Sequence, residues 1–593
     1  MNETLKNPLI PGFYPDPSIC RVGDDFYMVT SSFVFYPGIP IFHSRDLMNW
    51  TQLGYVLNRP EQLPLDPEIT SGGIFAPTIR YHDGVFYVIV TNVAIGNFIV
   101  TTKVPEGPWS APHWIDGAEG IDPSLFWDDD GKAYYTGTTG FGSKTPGIWI
   151  SEIDLTQFCL VGEKTHLWSG ALIGCHSPEA PHIYKKDGMY YLMIAEGGTE
   201  VYHAVTIARS QNVKGPYAGY SGNPILTHRH LCTKYSITNV GHGDLIELKD
   251  GSWYIVVLAS RIYGGYHKNL GRETFIAPVE WENGWPVVSP GSGRIEWSYP
   301  GPRSLLQFFE IDDKYTESEV QTNGNDVISS DKAVRVSVDL NEEGVYFCDD
   351  KTVFIDDFSG EKLKLCWNFI GTPDKKLIKL DHGLKIKTVA EPICPPDGKM
   401  ISWMKDDYQV HALGFVGRRQ QHMSFEVQIN LTLKRMAKET AGMILLQNSY
   451  QSVRMELAEE NQKQVLRLVS GYIQKEFAPG KRMLDTNLGE QQVEWAFEHN
   501  TGSGIYHQEI EASLPWNDDY VTLNMIIRQQ DFNFYAIDSQ GQKHILKEHM
   551  SGGFLGSETA GGCIGTYIGM FASGNGTDID NYASFSDFKY CPL

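Results

Sequence analysis

Along the N-terminal half of the chain, short apolar runs alternate with polar turns and then with aromatic, β-branched runs, and this sequence of three occurs five times. Asp16-Pro-Ser-Ile is followed by Phe26-Tyr-Met-Val, Ala76-Pro-Thr-Ile by Phe86-Tyr-Val-Ile, and Asp122-Pro-Ser-Leu by Ala133-Tyr-Tyr. Ala180-Pro-His-Ile then leads to Tyr190-Tyr-Leu-Met, and Gly243-Asp-Leu-Ile to Trp253-Tyr-Ile-Val. The turns between the runs, among them His82-Asp-Gly and Lys249-Asp-Gly, carry the residues that hairpins require. Units recurring every roughly 45 to 65 residues indicate propeller blades or a solenoid, and the strand chemistry favours blades. In a propeller the innermost strands begin at one end of a central channel, so equivalent positions of the five units converge there.

The pattern then changes. Pro290-Gly-Ser-Gly and Pro300-Gly-Pro mark an exit from the repeats, and a charged, polar stretch follows over 311–352, in which Ala333-Val-Arg-Val-Ser-Val reads as an extra hairpin strand. Phe425-Glu-Val-Gln-Ile-Asn-Leu, Ala441-Gly-Met-Ile-Leu-Leu, Ser452-Val-Arg-Met-Glu-Leu and Val465-Leu-Arg-Leu-Val fit a sandwich with alternating faces. The expected fold class is all-β, a five-bladed β-propeller over 1–302, a linker or insertion over 303–352, and a β-sandwich over 353–593.

The repeat positions differ in one respect. An Asp-Pro pair ordinarily serves a turn, with Asp bonding nearby backbone N–H groups. Here Ala76, Ala180 and Gly243 stand where Asp16 and Asp122 stand, so the hairpin does not need the acid. One residue before Ala180 the chain carries Glu179, and His242 holds the same offset before Gly243. Three carboxylates and a histidine are thus expected to face one pocket. Such a set, without a nucleophilic Ser or Cys motif, suits proton transfer at a glycosidic bond, where one carboxyl protonates the leaving oxygen and another activates water. An ionised neighbour would help keep the donor protonated. Clustered Asp, Glu and His also suit a divalent metal, so the spacing alone leaves both readings open.

Composition narrows the partners. A formal charge of −23 argues against nucleic acid or an anionic membrane. The 593 residues, 41% hydrophobic and 12% aromatic, supply material for two cores. Nine scattered Cys without CxxC spacing suggest reduced thiols, no apolar run approaches the roughly 20 residues of a membrane helix, and Met1-Asn-Glu-Thr-Leu-Lys carries no secretion signal, so a cytoplasmic setting is expected.

Six segments, taken in order, resemble family 43 glycoside hydrolases: Asn7-Pro-Leu-Ile-Pro-Gly-Phe-Tyr-Pro-Asp16-Pro-Ser, Ser71-Gly-Gly-Ile-Phe75-Ala-Pro-Thr, Gly120-Ile-Asp122-Pro-Ser, Ser177-Pro-Glu179-Ala-Pro-His, Gly241-His-Gly-Asp-Leu and Leu270-Gly-Arg272-Glu-Thr. The resemblance is to the β-xylosidase and α-L-arabinofuranosidase branch with an added concanavalin-like β-sandwich. It implies an inverting, exo-acting hydrolase that needs no cofactor and frees terminal pentoses from xylo- or arabino-oligosaccharides, β-D-xylose being favoured over α-L-arabinofuranose or a bifunctional specificity. A non-catalytic glycan-binding propeller and a retaining fructosidase are the rival readings. By position, Asp16 matches the general base, Glu179 the general acid, and Asp122 the residue that orients Glu179 and adjusts its pKa. Arg272 matches an arginine that reaches the terminal sugar's hydroxyls, and Phe33 an aromatic wall of the pocket. Phe75 stands where many relatives carry Trp, giving a smaller platform without an indole N–H. His242 matches an axial histidine that lies near the substrate or binds a structural calcium. The resemblance also implies homo-oligomers and a sandwich loop near the active-site mouth, for which 565–571 is the candidate.

Overall fold

Ser18–Val22 and Asp25–Val29 pair as the alternation predicts, Ser18 opposite Val29 and Val22 opposite Asp25. In the computed structural model, which describes residues 4–67, 71–139, 143, 145–172, 177–305, 352–394, 410–475, 504–561, 563–577 and 579–593, this hairpin opens the first of five antiparallel sheets. The innermost strands of the others are Thr78–His82, Ser124–Trp127, Glu179–Lys186 and Ile237–Glu247. Each sheet draws its strands from one continuous stretch of chain, so each is a blade, numbered here 1 to 5 in chain order. The ring closes when the N-terminal segment docks on its last blade. Thr4–Lys6 pairs with Ser298–Pro300, and the Asn7 side chain bridges Ile276, donating to its carbonyl at 2.8 Å and accepting from its N–H at 3.0 Å.

The strand pairings fix which residues are equivalent. Ser18, Thr78, Ser124, His182 and Asp244 each face the corresponding residue of the second strand, namely Val29, Ile89, Thr136, Met193 and Val256. The fifth unit therefore sits one residue from its expected alignment, and His242, not Gly243, occupies the place of Asp16, Asp122 and Ala180. Those four residues share a left-handed backbone, with φ of 56°, 53°, 51° and 49° for Asp16, Asp122, Ala180 and His242. The expectation failed because blade 5 lacks the Pro that marks the site elsewhere and because its inner strand slips register between Thr238 and Gly241 and again between Gly241 and Gly243.

The second half forms two packed sheets, one ordered around Ser424–Thr432, Tyr520–Arg528 and Tyr582–Pro592, the other around Thr440–Leu446, Ser452–Glu460 and Tyr567–Ser573. Their inward residues, such as Val427, Leu431, Met443 and Met455, are fully buried. The expected hairpin at Ala333 lies outside the described residues.

Propeller and sandwich share a sheet and a core. Phe35–Tyr36 of blade 1's loop pairs with Phe369–Ile370, and the Phe35 ring stacks on Tyr567 at 3.8 Å between centroids. Arg419 Nε donates to the carbonyl of Phe13 at 2.7 Å while its guanidinium lies over the Tyr14 ring. One apolar cluster runs from Phe415, Ile444 and Phe571 of the sandwich to Phe13, Phe33 and Phe35 of the propeller. Truncating buried aromatics of this kind costs about 3–5 kcal/mol each.

Candidate active site

The left-handed kink shared by Asp16, Asp122, Ala180 and His242 determines what faces the channel. At Ala180 the kink forms with a methyl side chain, so the carboxylates at Asp16 and Asp122 are not there to make it. Asp16 is 4% exposed and Asp122 7%, burial that an isolated charge would not tolerate. Ser31 donates its hydroxyl to Asp16 Oδ2 at 2.5 Å, and Arg272 donates Nη1 to Oδ1 at 2.8 Å. The carboxylate is therefore held and oriented from both sides.

Glu179, partly buried, has its carboxyl pushed up to about 7 by burial and then by the negative charge of Asp16, with Arg272 pulling the other way. Asp122 is also raised well above the usual carboxylate range, by burial first and then by Glu179 and Asp16. The backbone N–H of Ala180 hydrogen-bonds the Asp122 carboxylate, which sets Asp122 beside Glu179. Three acids share one pocket with one guanidinium, and the pocket holds protons at neutral pH that isolated carboxyls would have lost.

Arg272 has a second role. Its Nη2 donates to the carbonyl of Cys563 at 3.0 Å, and Cys563 belongs to the sandwich. The Cys563 N–H in turn donates to Ser71 Oγ at 3.1 Å, and Thr566 N–H to the carbonyl of Asn269. The sandwich segment that reaches the site is thus the stretch around Cys563 to Thr566, which overlaps the start of the expected 565–571, while Tyr567–Ser573 is a buried sandwich strand. Phe33 is 2% exposed, lies 5.5 Å beneath the Arg272 guanidinium and contacts the Phe75 ring at 5.2 Å. Phe75 is the more open of the two. His242 is buried with Nδ1 3.8 Å from Asp16 Oδ1, and burial lowers its pKa, favouring the neutral ring.

A calcium held by His242 would want six to eight oxygen ligands. The neighbours of His242 are instead an arginine cation and a carboxylate already engaged by Arg272 and Ser31, so the donor set does not fit. Among the described residues no three His, Cys, Asp or Glu side chains gather into a metal-holding group.

One layer below, the structure shows a set of residues that sequence reasoning missed. Asp244 accepts Ser18 Oγ at 2.7 Å, Tyr184 OH at 2.7 Å and Arg80 Nη1 at 2.8 Å. Arg80 Nη2 also meets His182 Nδ1 at 2.9 Å, and Ser124 Oγ meets the same nitrogen at 3.1 Å. Members of all five blades join in this buried ring, Ser18, Ser124, His182 and Asp244 lying two residues along their strands from the kinks, and Arg80 and Tyr184 two residues further on. Burial penalises the Asp244 carboxylate, yet Arg80 brings its pKa below the ordinary value. Burial lowers His182 to about 3, so its ring is neutral. The signal in the sequence was a polar residue at the same step of four inner strands, Ser18, Ser124, His182 and Asp244.

Residues 5–286 match the family described as glycosyl hydrolases family 43, and residues 355–591 the β-xylosidase C-terminal concanavalin A-like domain. The chain is 38% identical to a xylosidase/arabinosidase of Butyrivibrio fibrisolvens, covering 98% of both, and 33% identical to a non-reducing end α-L-arabinofuranosidase of Bacteroides ovatus, covering 99% of this chain and 95% of that one. Among solved structures it resembles a xylan β-1,4-xylosidase of Bacillus halodurans with a TM-score of 0.78 at 27% identity, covering 99% of this chain and 100% of the other.

Proposed function

The chain belongs to glycosyl hydrolase family 43 and is an inverting, exo-acting glycoside hydrolase, and we propose that it releases single pentoses, β-D-xylose ahead of α-L-arabinofuranose, from the non-reducing ends of xylo- or arabino-oligosaccharides. The observation that carries this reading is the contrast between Asp16, clamped by Ser31 and Arg272, and Glu179, whose proton is retained to about pH 7. One is prepared to accept a proton and the other to give one.

In the proposed mechanism, Glu179 transfers its proton to the glycosidic oxygen as the bond to the anomeric carbon breaks. Water attacks that carbon from the opposite face and passes a proton to Asp16, so the configuration inverts. The two carboxyls then exchange protons with solvent, Glu179 regaining one and Asp16 losing one. Asp122, bonded to Ala180 N–H, holds the acid's backbone in place. Arg272 and the Phe33 and Phe75 rings line the sugar's position, Arg272 offering donors to paired hydroxyls.

Relatives named for both sugars support keeping both in the reading, and the shorter Phe75 ring removes a donor that an indole would supply. Rates on an aryl β-xyloside and an aryl α-L-arabinofuranoside, measured side by side, test it. A large ratio in favour of the xyloside is expected, the reverse ratio identifies an arabinofuranosidase, and no turnover of either refutes a pentosidase. A cytoplasmic setting is supported by the free thiols of Cys20, Cys159, Cys232, Cys366, Cys394, Cys563 and Cys591. Homo-oligomers, implied by the family, are read out by light scattering.

A further inference from the structure

Two turns stand at the mouth of the site between blades 4 and 5. Glu179 faces Ala195 across the hairpin and Glu196 faces Ala204, so the turn from Gly197 to His203 leaves its sheet at the level of the acid. In blade 5, Ala259 faces Glu273, so the turn that ends at Arg272 leaves at the level of the arginine. The two are joined by Lys268 Nζ, which donates to Glu200 Oε2 at 2.5 Å, with Asn239 Nδ2 on the same oxygen at 3.3 Å.

The pair is unequal. The Lys268 side chain is fully buried, whereas that of Glu200 is 44% exposed. A buried ammonium with a single carboxylate partner fixes that partner firmly, because losing it would leave an uncompensated charge. Glu200 is thus a carboxylate held at the rim, with Oε1 free of hydrogen bonds among the described residues. Its charge is felt at both Arg272 and Cys563, inside the pocket. Beside it stand two of the more exposed large side chains, Tyr202 at 45% and Tyr266 at 36%, the latter ring 5.6 Å from Lys268 Nζ.

We propose that this rim is the subsite for the sugar on the leaving-group side of the cleaved bond, with Glu200 accepting one of its hydroxyls and Tyr202 and Tyr266 offering ring faces. Orientation supports that side. The acid must reach the oxygen that stays with the leaving group, and Glu200 sits on the turn next to the acid in the same blade. An ionised carboxylate is acceptor-only and suits a sugar hydroxyl, and aromatic faces suit the apolar faces of a sugar ring. The inference rests on the pentosidase reading.

The test compares 1,4-β-xylobiose, whose leaving group is a sugar, with 4-nitrophenyl β-xyloside, whose leaving group has no such hydroxyls. In Glu200→Gln the ratio of kcat/KM on xylobiose to kcat/KM on the aryl xyloside should fall about tenfold, chiefly through KM, as expected for loss of a charged hydrogen bond. Tyr202→Ala and Tyr266→Ala, at exposed positions, should each lower the same ratio severalfold, and they carry the test if Glu200→Gln melts early because Lys268 has lost its anion. Ratios equal to wild type in the folded variants overturn the subsite. Wild-type protein that turns over neither compound overturns the β-xylosidase reading on which the subsite rests, whatever the variants do.

Discussion

Arg272 lies 2.8 Å from the carboxylate of Asp16, and its charge also reaches Glu179, whose pKa it lowers against burial and the charge of Asp16. Replacing Arg272 by Met removes that downward pull, so the carboxyl of Glu179 should hold its proton to higher pH. In the wild type, kcat/KM should decline as the acid ionises near pH 7. In Arg272→Met the overall rate should drop, but the alkaline limb of the profile should move upward. An unmoved or lowered limb in the pH–rate profile would count against this arrangement of charges.

Asp16→Asn and Glu179→Gln should each reduce kcat/KM by about 10²–10⁴, the usual contribution of a positioned base or acid. The two differ in their response to the leaving group. A dinitrophenyl glycoside departs without a proton, so it should recover much of the loss in Glu179→Gln and little in Asp16→Asn. Equal recovery in both variants, measured by initial rates, would show that the roles are wrongly divided.

The raised pKa of Glu179 is also a statement about stability. A carboxyl whose folded pKa exceeds its unfolded value stabilises the fold below the unfolded pKa and forfeits that contribution as pH rises through about 7. At pH 8 the wild type therefore carries a destabilising charge that Glu179→Gln lacks, of order 1–3 kcal/mol. Thermal melts should show Glu179→Gln above wild type at pH 8, with the gap narrowing towards pH 5. A gap that widens on acidification contradicts the assignment.

The ring below the site should matter to the fold as a whole. Asp244 is fully buried against Arg80, and removing one member of such a pair strands the other. Asp244→Ala should cost about 3–5 kcal/mol, read from the urea midpoint at constant slope. Because the pKa of Asp244 is depressed in the fold, the wild type should lose this stabilisation only in strong acid, below the ordinary carboxylate range. A midpoint within error of wild type would mean that the ring is dispensable.

The blades were legible because each hairpin carries its own turn residues and its own aromatic return strand, signals that are local. Asp16, Asp122 and Glu179 were legible because comparison among repeats showed acid where the hairpin had no need of it. His242 was seen but set one step out of register, since Gly243 replaces the proline that marks the kink and bulges break the strand. The ring of Ser18, Arg80, Ser124, His182, Tyr184 and Asp244 was hidden, since each member looks like a stray polar residue until five blades bring them together. Ser31 and Cys563 were hidden for the same reason, one fifteen residues from its partner and the other in the second domain.

The proposed reaction is a single displacement in which water held at Asp16 attacks as Glu179 protonates the departing oxygen. Proton NMR of the sugar first released from an aryl β-xyloside, recorded before mutarotation, tests it most directly. With inversion, α-xylose appears first and relaxes towards the equilibrium mixture. Initial appearance of β-xylose would show retention and contradict it.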